Sequence, residues 1–401
     1  MTERIISALH VIANLDVGGA QEVVRSLAPA LNRLGCHTAV LALRDGPMRP
    51  LLEQEGVTVR VVAGRSRSLV RDPRAVAELW RIRGEVARFA AALDADLIQT
   101  HLLRSMDFLV LAAAPRRRPA VIWTFHNARL DLRADQVPDG GRLLDMKRRG
   151  YRSLYHHLSR RAAAMVAVSS EVGSAVRTEL RPAWGRLVVI PNGVDVARFP
   201  ADTEADDVRR GLGVGSEELL VICVAKLYAQ KGHATLLEAF AGASATDGRL
   251  RLALVGDGPL RDDLSAQIQR LGLAERVTLL GQRLDAARLV AASDLFVLPS
   301  LWEGLPMALL EAMASRKPVI ASRVSGTDEV LAGGQHGVLV EPGSVAELRD
   351  ALLRLAADPA LRQRLGDAGR ARVESDFSVD VQARAHLDLY RRVTRPRGSA
   401  A

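Results

Sequence analysis

A chain of 401 residues exceeds what one hydrophobic core usually spans, so two domains of about 190 residues are expected, and a hydrophobic content of 48% supplies cores for both. Aromatic residues make up only 4%, which argues against a surface of stacked bases, and nothing points to nucleic acid as a partner. The net charge of +9 is uneven, with 29 Lys and Arg against 18 Asp and Glu in residues 1–190 and 26 against 28 in residues 191–401, an asymmetry that bears on partners and not on fold.

Apolar, β-branched runs alternate with helical patterns along the whole chain. Ile5 to Ala13 reads as a strand, Ala20 to Arg33 as a helix and Thr38 to Leu43 as a strand. Further strands are read at Val121 to Phe125 and Met165 to Val168. Near Leu187 to Asp195 a strand runs into Pro191-Asn192-Gly193, turn chemistry suited to a domain boundary. The rhythm restarts at Leu219 and recurs at Leu250 to Val255, Val277 to Leu280, Leu295 to Leu298 and Pro318 to Ala321. Such alternation means parallel sheets with crossover helices. The expected fold is α/β, with two doubly wound, Rossmann-like domains over residues 1–190 and 191–375 whose switch points open into a shared cleft, and a closing helix over 376–394.

Cys36 and Cys223 fall in different domains and read as small core residues of a reducing compartment. The nine histidines offer no metal-ligand spacing, since their one adjacent pair, His156-His157, cannot face one way on a helix. The apolar start, Ile5 to Leu15, is too short to span a bilayer and ends in a glycine turn, so a cytoplasmic protein is expected. Arg116-Arg117-Arg118 and the segment Arg142 to Arg161 carry much of the positive excess. That segment sets Leu144, Tyr151, Leu154, Tyr155 and Leu158 on one helical face and basic residues elsewhere. It reads first as a solvated helix packed on its own domain and second as a peripheral contact with anionic lipid at the inner membrane face.

The chemistry concentrates at strand ends. Glu303 and Glu311 stand eight apart, the first in the loop after the strand Leu295 to Leu298, the second inside a helix for which Pro306 suits the first position. At about 1.5 Å per residue both acids reach one elongated polar ligand. A carboxylate accepts from paired hydroxyls, and the free N–H groups of the first helical turn, around Gly304, Leu305, Pro306 and Met307, suit a phosphate. Lys226 and Lys231 flank the loop after the strand at Leu219, where two ammonium groups can neutralise a departing diphosphate. Gly18-Gly19 and Gly256-Asp257-Gly258-Pro259 each follow a strand and precede a helix, so each is either a close-approach site for phosphate or sugar or a tight turn. Neither completes a dinucleotide fingerprint. His126, and less strongly His101, follow strands of the first domain at the edge that faces a ligand.

Taken in order, Gly18-Gly19-Ala20-Gln21, Thr124-Phe125-His126-Asn127, Pro191-Asn192-Gly193-Val194-Asp195, Lys226 with Lys231-Gly232, Gly256-Asp257-Gly258-Pro259 and the Glu pair resemble the signatures of retaining glycosyltransferases of family 4, with the GT-B fold. The resemblance implies a nucleotide-diphosphate-sugar donor, a glycan or lipid-linked hydroxyl acceptor, and no metal or other cofactor. It implies that Glu303 holds sugar hydroxyls, Glu311 the ribose diol, Lys226 and Lys231 the diphosphate, and His126 the transferred sugar. Two departures stand out: Lys226 replaces the usual Arg, which removes a forked grip on phosphate, and Leu305-Pro306 replaces Phe-Gly, which removes one backbone donor. A sugar-nucleotide epimerase or hydrolase of the same architecture, and a non-catalytic sugar-nucleotide or membrane-surface binding protein, are the alternative readings.

Overall fold

The computed structural model describes residues 5–62, 74–101, 105–114, 119–127, 153–183, 185–199 and 205–394. The chain divides into two compact units, Met1–Asn192 with Val379–Ala401, and Gly193–Ser378, at points two and three residues beyond the boundaries expected from sequence.

The first unit is built on a parallel sheet of seven strands: β1 (Ser7–Ile12), β2 (His37–Ala42), β3 (Thr58–Val61), β4 (Leu97–His101), β5 (Ala120–Phe125), β6 (Ala164–Ala167) and β7 (Leu187–Val189). They run in the order β3-β2-β1-β4-β5-β6-β7. The order reverses between β1 and β4, the switch point at which open sheets bind ligands. β1, β4 and β5 are buried along their whole length, as strands covered on both faces are. Their apolar runs are interrupted by His10, Gln99, Thr100, His101 and Thr124, all buried. In register, His10 lies beside Gln99 and His101 beside Thr124. Because strand side chains alternate with period two, His10, Gln99, His101 and Thr124 share one sheet face.

The helix Val379–Thr394 belongs to this unit. Its Val379, Ala383, Leu387 and Tyr390 join Leu27, Leu31, Leu97 and Ile122 in one core. It begins at Val379, where the helical pattern of the sequence begins, and immediately ahead of it Phe377 accepts from the Val194 N–H at 2.8 Å and Ser378 pairs with Val194 as an isolated β-bridge.

The second unit carries a parallel sheet of six strands: β8 (Leu219–Val224), β9 (Leu250–Val255), β10 (Val277–Gly281), β11 (Leu295–Leu298), β12 (Val319–Ser322) and β13 (Val338–Val340), in the order β10-β9-β8-β11-β12-β13. Its switch point lies between β8 and β11. Leu236, Leu237 and Phe240 of the helix His233–Thr246 pack with Val221, Leu252 and Leu295 of the sheet. Arg116–Arg118 and residues 142–152 of the basic segment lie outside the described residues.

Candidate active site

The loops that follow β8 and β11 meet at the second switch point, so residues 72 apart in sequence touch. Lys231 Nζ donates to Glu303 Oε1 at 2.5 Å, and the buried Ser300 hydroxyl donates to the same oxygen at 2.6 Å. Glu303's side chain is 6% exposed and Lys231's 20%, so the carboxylate is largely taken out of water and is held there by a cation, as its shared site with Lys231 leads one to expect, and by the Ser300 hydroxyl, which sequence reading did not link to it. The Leu301 N–H donates to the Gln230 carbonyl at 2.7 Å, and the Gln230 amide donates to the Trp302 carbonyl at 2.8 Å. The two loops are thereby cross-braced around the ion pair.

Glycines permit this packing. Gly256 has φ +141°, and a Cβ there would lie 2.0 Å from the Ala225 carbonyl oxygen; at Gly258 it would lie 2.6 Å from that of Leu227. At both positions the neighbour is therefore the backbone that flanks Lys226, which supports the tight-turn reading of Gly256-Asp257-Gly258. Lys226 itself is exposed. Gly232 (φ +67°) presses against Pro299 in the same way, and Gly326, which no sequence motif singles out, presses against Gly304 with a virtual Cβ 2.1 Å from its carbonyl oxygen. Gly304, Leu305, Pro306 and Met307 are buried.

The helix after β11 spans Met307–Ala314, with Pro306 at its N-cap in an extended conformation (φ −76°, ψ 118°). This corrects the expected placement of Pro306 as the first helical residue: its ψ is not helical, so the first free N–H groups are those of Met307, Ala308 and Leu309. Glu311 is the fifth residue of this helix and half-buried, about 6 Å along the axis from Met307. His233, the first residue of the helix after Gly232, is buried with Nδ1 unpartnered. Burial lowers its pKa to about 4, with Lys231 adding to the shift.

In the first unit, the Gly18-Gly19 turn opens the helix Gly19–Arg33, and Gly18 is extended, with φ 176°. The turn is braced from before and after, since Gln21 Nε2 donates to Asn14 Oδ1 at 2.6 Å and the Asp16 N–H to the same oxygen at 3.2 Å. His126 stands just beyond β5, partly buried, with Nε2 3.2 Å from His101 Nδ1. Asp107, which sequence reading passed over, is buried in the helix Ser105–Ala113 and accepts from the Tyr155 hydroxyl at 2.6 Å. Burial lifts its pKa to about 6 against the opposing pull of hydrogen bonds from Thr100 and Tyr155. Among the described residues no group of three or more His, Cys, Asp or Glu is arranged to hold a metal ion, and no helix is long and apolar enough to cross a membrane.

Two buried-sheet units with ligand-facing switch points define the architecture of GT-B glycosyltransferases, and the comparisons agree. The family model for glycosyltransferase family 4 matches residues 17–198, and that for glycosyl transferases group 1 matches residues 204–372. The chain is 28% identical over 336 residues to the UDP-Gal:alpha-D-GlcNAc-diphosphoundecaprenol alpha-1,3-galactosyltransferase of Escherichia coli, covering 81% of each chain. It is 32% identical over 229 residues to the lipopolysaccharide core biosynthesis glycosyltransferase LpsD of Rhizobium meliloti, covering 57% of this chain and 63% of the relative. The structure of Anabaena HepE in complex with UDP-glucose superposes with a TM-score of 0.80 at 22% identity, covering 96% of this chain and 100% of that one. The chain belongs to glycosyltransferase family 4 and is a glycosyltransferase.

Proposed function

We propose that the protein moves a sugar from a nucleotide-diphosphate donor to a hydroxyl of a growing glycan or a lipid-linked acceptor, with retention at the anomeric carbon. The observation that carries this reading is the Lys231–Glu303 pair at the switch point of the second sheet. It sets a cation for a departing phosphate beside a carboxylate for sugar hydroxyls, which is the order in which those groups occur in a sugar nucleotide. The N–H groups of Met307 and Ala308 receive a phosphate oxygen, Glu311 takes the ribose diol, and His126 positions the transferred sugar. The exposed Lys226 adds charge but no forked grip. Charge on the leaving diphosphate is then met by ammonium and amide groups without a metal. Retention follows when the departing phosphate oxygen takes the acceptor's proton on the same face, with no protein nucleophile. The names of the relatives support a role in cell-surface polysaccharide or glycolipid assembly. The basic excess of residues 1–190 suits a lipid-linked or polyanionic acceptor and a peripheral position at an anionic membrane face.

Thermal unfolding in the presence of UDP-, GDP- and ADP-sugars tests this reading. A donor at 100 times its dissociation constant stabilises by about 2.7 kcal/mol. Glu311→Gln should weaken that donor by one to two decades, through loss of charge-assisted hydrogen bonds worth about 1.5 to 3 kcal/mol. No stabilisation by any of the three classes, or a Glu311→Gln protein with unchanged donor affinity in calorimetry, would overturn the assignment.

A further inference from the structure

Four side chains from three elements and one loop of the first unit form a continuous row of hydrogen bonds: Tyr390 of the helix Val379–Thr394, His10 of β1, His101 of β4 and His126 after β5. The Tyr390 hydroxyl lies 3.3 Å from His10 Nε2, His10 Nδ1 lies 3.0 Å from His101 Nε2, and His101 Nδ1 lies 3.2 Å from His126 Nε2. His10, His101 and Tyr390 are fully buried.

Protonation can run along this row in one of two directions, and Gln99 selects between them. The Gln99 amide nitrogen donates to Thr124 Oγ1 at 2.8 Å, which leaves its oxygen facing the Tyr390 hydroxyl. A carbonyl oxygen carries no proton, so Tyr390 must donate to it. The phenol has only one proton, so its oxygen accepts from His10 Nε2–H. Burial lowers His10 to about 3 and His101 well below its usual range, so both rings are neutral, with one N–H each. With Nε2 of His10 protonated, its Nδ1 is an acceptor and receives the N–H of His101 Nε2. His101 Nδ1 is then an acceptor in turn and receives the N–H of His126 Nε2. His126, lowered to about 4 by burial first and His386 second, is left with a bare Nδ1 that has no hydrogen-bond partner among the described residues.

We propose that Tyr390, Gln99, His10 and His101 are positioning residues that fix His126 as the Nε2–H tautomer, so that its Nδ1 accepts a hydrogen bond from a hydroxyl of the donor sugar. This rests on the role given to His126 above. It adds what makes the ring an acceptor, and it links the closing helix to the ligand-facing edge of the first sheet. No bond to carbon forms or breaks in the process; the row settles which ring nitrogen is bare before any ligand arrives.

The tautomer is read without ligand, by long-range 15N–1H correlation of the histidine rings in the 15N-labelled protein near neutral pH, with His126→Gln to assign the His126 signals. The expected pattern is a protonated Nε2 and a bare Nδ1 at His10, His101 and His126, and a His126 signal with the proton on Nδ1 overturns the proposal. Gln99→Leu removes the acceptor for Tyr390, whose hydroxyl then donates to His10. All three rings should reverse, turning His126 Nδ1 into a donor, and donor affinity should fall about threefold to tenfold, the worth of one neutral hydrogen bond. Tyr390→Phe should give a mixture of both tautomers with an intermediate loss. Reversed rings with donor affinity within twofold of wild type would sever the row from ligand binding and overturn the proposal. The affinity arm uses UDP-, GDP- or ADP-glucose, whichever stabilises the protein. Stabilisation by none of them would fail the transferase reading, while the spectrum of the free protein judges the tautomer by itself.

Discussion

Glu303 shows how a single buried charge is made tolerable. Stranding a carboxylate out of water costs several kcal/mol unless a partner offsets it, and here Lys231 and Ser300 both converge on Oε1. Lys231→Ala should lower turnover by on the order of 10² or more, by removing charge stabilisation at the leaving group. It should also destabilise the second unit by about 3 kcal/mol or more, because Glu303 is left unpaired. Adding Glu303→Gln to that variant should restore much of the melting temperature but none of the activity. Recovery of both, or of neither, would show that the pair does not have the two roles assigned to it. Ser300→Ala keeps the ion pair and loses one charge-assisted bond, so a loss of about 1.5 kcal/mol or more and a fall in kcat/KM of tenfold or greater are expected from denaturation and steady-state rates.

The elements themselves were largely legible: strand runs such as Leu295 to Leu298 and Leu219 to Val224, the glycine turns after them, and the two acids at the start and interior of one helix are local patterns. What joins Lys231 to Glu303, or His10 to His101, His126 and Tyr390, is the order of strands in each sheet. Periodicity within a strand carries no information on which strand lies beside it. Gly326 was missed for a related reason: its φ is unremarkable, and only the backbone of Gly304 passing against it makes the position demanding. Gly326→Ala should push the Glu303–Gly304 loop aside, with losses of melting temperature and of activity together. Gly35→Ala, at φ +82° in open space, should cost about 1 kcal/mol of conformational strain and leave donor binding intact. Equal effects at the two positions would mean that the close approach at Gly304 is relieved without consequence.

For the molecule as a whole, the buried histidines make stability depend on pH. Burial lowers His10 to about 3, and His386 and His126 to about 4, from 6.5, so below pH 6.5 the unfolded chain binds protons that the folded one refuses. Their contribution is therefore complete above pH 6.5 and declines as the pH falls toward 4, by roughly 1.4 kcal/mol per pH unit for each ring. Asp107, raised to about 6, acts in the opposite sense between 3.8 and 6, but one acid does not balance several rings. The unfolding temperature of the first unit should accordingly drop between pH 6.5 and 4, and a flat calorimetric profile over that interval would contradict the buried, neutral row. Membership of the helix Val379–Thr394 in the first unit has a further consequence, for synthesis. A ribosome must translate all of Gly193–Ser378 after β7 before it reaches this helix, an interval of roughly 10 to 40 s at about 5 to 20 residues per second. Throughout that interval the first unit waits with an uncovered apolar patch at Leu27, Leu31 and Ile122, the surface for which a chaperone would compete on the nascent chain.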